Sequence, residues 1–268
     1  MKVVTVISGK GGVGKTMLTA NLGIALADSG YRVVLFDADL ALANLDVYLG
    51  IRSDVKVQHA MDGKVSLRDA MVKGPSGVRV ITGDSGVGKM IRLSRKRLDA
   101  FLENVSQIAD DTDFLIYDAA AGADARVMTF ARAADEVLLV VTPDPASVLD
   151  AFATAKVLFR SKPDASVRVL VNMAETPEQA WKVYCAVQSA IKQFIAKPVC
   201  YAGSVALHRR VAASTRSRKP FVLEMPHLQA SKDIVAAANS LSVYTKSIPT
   251  QMVRPISTKG APKRLKAA

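Results

Sequence analysis

Residues Gly9-Lys10-Gly11-Gly12-Val13-Gly14-Lys15-Thr16 gather four glycines, two lysines and a hydroxyl into eight consecutive positions. That mixture suits one task, the grip of a phosphate chain. Without side chains at 9, 11, 12 and 14, successive backbone N–H groups can turn inward around phosphate oxygens. Lys15 is spaced to reach the outer phosphates and Thr16 to ligate Mg²⁺, so the stretch satisfies the phosphate-loop pattern G-x-x-x-x-G-K-[ST]. Val13 and Met17 complete the expected nucleotide-binding set. The flanks agree with this reading. The apolar run Val3-Val4-Thr5-Val6-Ile7 is a strand candidate, and Met17 to Leu22 form a helix whose N-terminal partial charge adds to the cradle.

Carboxylates follow at matching places. Tyr31 to Phe36 reads as a second parallel strand, and Asp37 and Asp39 stand one residue apart at its C-terminal end, in the crevice where open α/β sheets bind ligands. Such a pair favours metal and water chemistry. A third apolar run, Asp113 to Tyr117, ends in Asp118 and is followed by Ala119-Ala120-Ala121-Gly122. It has the form of a Walker B strand, with Asp118 accepting from a Mg²⁺-bound water and Gly122 presenting an amide to the γ-phosphate. A second glycine loop, Gly83 to Met90, satisfies G-x-x-x-x-G-K but ends in Met90, which cannot ligate Mg²⁺. It is read as a surface loop after a third strand.

The elements that must position these groups alternate along the chain. Strands are expected near 3–7, 32–37, 78–82, 113–118, 136–142, 167–172 and 198–202, with helices between most of them. That alternation predicts an α/β fold, a three-layer doubly wound and mostly parallel sheet. Ile91 to Ala109 has helical apolar spacing, and Thr176-Pro177-Glu178 supplies an N-cap, a first-turn proline and an acid for a helix running to about Ile195. With 268 residues, half of them apolar, the chain can bury one large core. Residues 1–248 are read as one domain and 249–268 as a basic, disordered tail.

Charge is unevenly placed. From Val205 onward there are 12 lysines and arginines against Glu224 and Asp233, which is ten of the net twelve positive charges of the chain. This bias points to an anionic partner. Cys185 and Cys200 form no metal pattern and fit a reducing compartment. With no cleavable signal and no apolar run near the roughly 20 residues of a membrane span, a cytoplasmic protein is expected.

Lys10, a second lysine inside the loop, narrows the class. K-G-G-x-G-K-T resembles the deviant phosphate loop of the MinD/ParA family, dimerising ATPases among the SIMIBI-type P-loop NTPases; the resemblance runs over roughly residues 2–245. It implies a homodimer around two ATP·Mg²⁺, in which Lys10 reaches across the two-fold interface to the partner's nucleotide. It further implies that Asp37 helps hold the Mg²⁺ shell, that Asp39 orients the attacking water and that Asn172 reads the adenine. Lys10, Lys15 and Asp39 are thus the catalytic expectations, and Thr16, Asp37 and Asp118 the metal ones.

Val141 to Ala151 and Lys219 to Leu223 look most like the flagellar FlhG/FleN branch, which sets flagellar number and place. The expected activity is ATP hydrolysis that times binding to a partner or surface, with a flagellar regulator or GTPase as partner. That branch commonly carries a glutamine-rich activator segment before its first strand; this chain starts at the strand, so GTPase activation by that route is not expected. Tyr201-Ala202-Gly203-Ser204-Val205 replaces a usual proline and acid, and base preference is expected to differ. The tail cations suit weak contact with an anionic lipid surface at the inner face of the membrane. The alternative reading is a ParA-like segregation ATPase holding nonspecific DNA through its basic C-terminal surface. It is the less favoured one, because that surface has no interleaved aromatics or groove-reading motif.

Overall fold

The computed structural model describes residues 1–39, 43–83 and 101–242. In chain order its elements are β1 (Lys2–Ser8), α1 (Lys15–Asp28), β2 (Val33–Asp37), α2 (Leu45–Leu49), α3 (Val57–Met61), β3 (Met71–Lys73) and β4 (Arg79–Ile81). These are followed by β5 (Phe114–Ala121), α4 (Ala125–Ala133), β6 (Glu136–Val141), α5 (Pro145–Ser161), β7 (Val167–Ala174) and α6 (Pro177–Ile195). The chain closes with β8 (Cys200–Ala206), α7 (Arg209–Ser217), α8 (Phe221–Glu224) and α9 (Gln229–Ser242). The strands form one eight-stranded sheet in the order β3-β4-β2-β5-β1-β6-β7-β8. Every pairing is parallel except that of β3 with β4. The expected doubly wound α/β architecture is what the chain adopts.

The strands are apolar on both faces because helices cover both. On β1, β2 and β5 the alternate residues Val4, Val6, Val33, Leu35, Phe114 and Ile116 pack with α1 and the C-terminal helices. Val34, Phe36, Leu115 and Tyr117 point the other way, onto Phe101, Val105, Ile108 and Phe130. Further along the sheet, Val137, Leu139, Val167 and Val169 face α4, α5 and α6. Helix α1 is buried from Met17 to Leu26, since the sheet lies on one side of it and α9 on the other. This period-two alternation also decides the site: Asp37 continues the Val33–Leu35 face and Asp118 the Phe114–Ile116 face, so both carboxylates lie beneath α1.

Departures from the expected elements are local. The edge strand β3 is only three residues long and lacks a clear alternating signal. Strand β5 runs on through the alanines to Ala121, and β7 to Ala174. Strand β8 covers 200–206, so Gly203 and Ser204 pair with Leu170 and Val171 instead of standing in a loop. The helix expected over 91–109 is α-helical at 101–104 and tightens to a 3₁₀ segment, Val105–Asp111; its residues 91–100 lie outside the described residues. So do 84–90 of the second glycine loop, 40–42 of the Asp37–Asp46 segment and the expected tail. The expected helix from Pro177 ends at Ile195, with Thr176 capping Gln179 N–H. Among the described residues no helix is long and apolar enough to cross a membrane.

Candidate functional site

The phosphate loop leaves β1 at Ser8 and enters α1 at Lys15. Gly12 and Gly14 take left-handed backbone angles, φ +79° and +88°, which a side chain would strain. Nothing lies within 4 Å of where a Cβ would stand on Gly11 or Gly12, so their exposed side is open space. Gly9 is the opposite case, since a Cβ there would meet the Asp150 backbone of α5 at 2.3 Å. Ser8 Oγ donates to the Lys10 carbonyl at 2.8 Å and pins the start of the loop. The N-terminus of α1 has no side-chain cap. Its free N–H groups and partial positive charge are a ready anion site.

Lys15 is half-buried beneath this opening. Burial pushes its ammonium down, and Asp118 and Asp39 hold it up. Asp118 is buried in register beside Asp37 on the adjacent strand. Asp118 is raised to about 6, because loss of water outweighs the hydrogen bonds from Thr16 and Thr19 and the charge of Lys15 that pull it down. Thr19 Oγ1 lies 3.1 Å from Asp118 Oδ1. Asp37 is likewise raised, by burial first and by Asp118 next. Its Oδ1 accepts the Asp39 N–H at 3.1 Å, and its Oδ2 accepts the Asn44 and Leu45 N–H groups at 2.9 Å each. Asp37 therefore anchors both sides of the segment that follows β2.

Two packed carboxylates against one half-buried ammonium leave excess negative charge, which suits a hard divalent cation. Among the described residues no three His, Cys, Asp or Glu side chains converge on a point that would cage a metal. Thr16 and the two carboxylates are oxygen donors of the kind that would fit Mg²⁺ taken up with a nucleotide.

Lys10 stands apart from Lys15. It lies on the exposed rim, 2.5 Å from Asp144 Oδ2, and the hydrogen bond raises the ammonium while lowering Asp144. Asp144 also caps α5, accepting the Ala146 N–H at 3.1 Å. Asn172, buried near the end of β7, donates Nδ2 to the Val13 carbonyl at 2.7 Å. In this state its amide braces the phosphate loop. Val13 and Met17 are buried in the α1 core, so only their backbone is offered to a ligand. Gly122, at φ +94°, turns the chain out of β5 and donates its N–H to the Ser8 carbonyl at 2.8 Å. The expected amide for a γ-phosphate is thus engaged with β1 here.

Sequence reasoning therefore collected the loop, Asp37, Asp39, Asp118, Gly122 and Asn172, and the fold brings them to the C-terminal edge of the central strands. It missed Thr19 and Asp144. Thr19 lies three residues after Thr16 and so shares its helix face, a signal that was available. Asp144 sits in a Pro-Asp-Pro turn whose nearness to Lys10 depends on β6 lying beside β1.

A family model described as ParA, the NUBPL iron-transfer P-loop NTPase, matches residues 1–242. The antiactivator FleN of Pseudomonas aeruginosa is 37% identical over 244 residues, covering 91% of this chain and 87% of that protein. The flagellum site-determining protein YlxH of Helicobacter pylori is 33% identical over 220 residues, 81% and 74% of the two chains. Among solved structures, the MinC:MinD cell division complex of Aquifex aeolicus matches at TM-score 0.74 and 26% identity, over 94% of this chain and 99% of that one. With its glycine loop, paired strand-end carboxylates and doubly wound sheet, this chain belongs to the ParA/MinD family of ATP-hydrolysing P-loop NTPases.

Proposed function

We propose that the protein is an ATP-dependent dimerising switch that hydrolyses ATP to time its hold on a partner, and that it regulates the number or placement of flagella. The observation that carries the switch is the difference between the two loop lysines. Lys15 faces the buried carboxylates of its own site, and Lys10 stands on an open rim with only a surface ion pair to restrain it. The likeness to FleN and YlxH supports the flagellar reading.

ATP binds with its phosphates against the uncapped N-terminus of α1 and the glycine N–H groups, where Lys15 balances the outer charge. Thr16, Asp37 and Asp118 would hold Mg²⁺, which would supply positive charge against the charge that develops on the phosphates. Asp39 holds the attacking water and takes up its proton. Lys10 leaves Asp144 and reaches the nucleotide of the second subunit, so assembly and chemistry require each other. Hydrolysis removes the γ-phosphate that Lys10 grips and releases the dimer. Asn172 braces the loop through the Val13 carbonyl and turns its amide to the adenine of bound ATP.

Sedimentation of Asp39→Ala without nucleotide, with ADP, and with ATP plus Mg²⁺ tests the switch. A dimer formed only with ATP is expected, and it is lost again in Lys10→Ala. An unchanged mass with ATP demonstrably bound overturns the interface role of Lys10. Restoration of flagellar number in cells lacking the gene, by wild type and not by Lys10→Ala, tests the biological assignment.

A further inference from the structure

Asn21 is fully buried on α1, and its amide is satisfied from three directions. Nδ2 donates to the Met17 carbonyl at 2.7 Å, on its own helix, and to the Tyr48 hydroxyl at 2.9 Å, on α2. Oδ1 accepts the Val222 N–H at 3.0 Å, on α8. The Tyr48 ring is buried in the same cluster as Val211 on α7 and Phe221 and Val222 on α8. Behind them, Ser231 on α9 donates to the Phe221 carbonyl at 3.2 Å and to the Met225 carbonyl at 2.7 Å. Asn21 and Tyr48 therefore tie α1, α2 and α8 together by hydrogen bonds, with Val211 of α7 packed into the same cluster.

The ends of this network are different in kind. Tyr48 lies three residues after Leu45, whose N–H, with that of Asn44, is gripped by Asp37. At the far end, α7 and its exit carry Arg209, Arg210, Arg216, Arg218 and Lys219 on the surface. The join is close: a Cβ on Gly50, just after α2, would stand 3.3 Å from the Arg218 carbonyl. A buried polar network of this kind shifts as a unit, because a broken member is left without water or partner.

We infer that Tyr48 is a positioning residue that couples the segment held by Asp37 to the cationic α7 surface, so that nucleotide state sets how those arginines are presented. The coupling rests on the proposed roles of Asp37 and Asp39 at the nucleotide. When nucleotide binding re-orients the Asp37 carboxylate, its grip on the Asn44 and Leu45 N–H groups changes and α2 is re-seated at its first turn. The Tyr48 hydroxyl and the Asn21 amide carry that movement to 209–222. Nothing in ATP hydrolysis requires this connection, and Tyr48 touches no group of the nucleotide site, so the coupling can be cut without removing the chemistry.

Hydrogen–deuterium exchange of the full chain, with and without a non-hydrolysable ATP analogue plus Mg²⁺, tests it in wild type, Tyr48→Phe and Asn21→Ala. Tyr48→Phe keeps the ring in the core and removes only the hydroxyl; Asn21→Ala removes the acceptor of the Val222 N–H and serves if the first variant does not fold. In wild type the analogue is expected to slow exchange at both 43–49 and 209–222. In either variant the response at 43–49 persists and that at 209–222 is lost. A response at 209–222 that survives in the variants, or that is missing in wild type while 43–49 responds, overturns the coupling. If neither segment responds although the analogue is bound, the proposed role of Asp37 fails and the coupling falls with it.

Discussion

The two edges of the sheet treat charge in opposite ways. At the N-terminal edge, Glu136 on β6 is bound by Lys2 from β1 at 2.5 Å and by Arg168 from β7, all three nearly buried. The two cations also donate to the last carbonyls of α9, Lys2 to Leu241 at 2.8 Å and Arg168 to Ser240 at 3.2 Å. The cluster is closed, its carboxylate paired with two cations from the same chain. At the C-terminal edge, Asp37 and Asp118 stand side by side in a dry place, Lys15 is desolvated and the N-terminus of α1 is left uncapped. What the closed edge supplies from its own sequence, the open edge must obtain from a ligand. Stability resides at one end of these strands and chemistry at the other.

Substitutions at the two edges should therefore fail differently. Lys15→Ala removes the cation at the outer phosphates, and phosphate release per folded molecule should fall about 1000-fold or more with the circular dichroism unchanged. A large drop in folded protein instead would mean that Lys15 is structural, and the contrast breaks. Asp39→Ala should lower turnover by about 100-fold or more while leaving ATP-dependent dimerisation intact; hydrolysis at the normal rate would remove Asp39 from the mechanism.

Glu136→Gln, at the closed edge, leaves two cations buried against a neutral amide. It should lower stability in urea by about 3–5 kcal/mol, with nucleotide affinity of the folded fraction unchanged. Loss of ATP binding at unchanged stability would show that the two edges are not independent. The smallest effect is expected on the rim, where Asp144→Asn keeps the cap on α5 and releases Lys10. The ATP needed for half-maximal dimerisation should fall only a few-fold, because an exposed ion pair is weak. A rise would mean that Asp144 holds Lys10 ready for the partner.

Much of the open edge was legible because its chemistry is local. Gly9 to Thr16 is one contiguous stretch, and Asp37 and Asp118 each end an apolar run that can only be a buried strand. Asp144 was not legible as a partner of Lys10, since 134 positions separate the two. The Asn21–Tyr48 network was hidden for the same reason, as a buried asparagine and tyrosine in helices carry no pattern of their own. The extension of β8 was missed because Gly203 and Ser204 read as turn residues, yet Leu170 and Val171 supply the ladder that overrides their preference.

By itself the sequence determined the phosphate loop, the carboxylate-ended strands, the α/β alternation and the family, because each depends on residues close together in the chain and on side-chain periods of two and 3.6. The tertiary structure alone decided which groups meet across the sheet. Strand order placed Asp118 beside Asp37, Lys10 against Asp144, Asn172 against Val13 and Glu136 between two cations. Those contacts are set by which strands become neighbours, and only the burial of the whole sheet between its two helical layers selects that order.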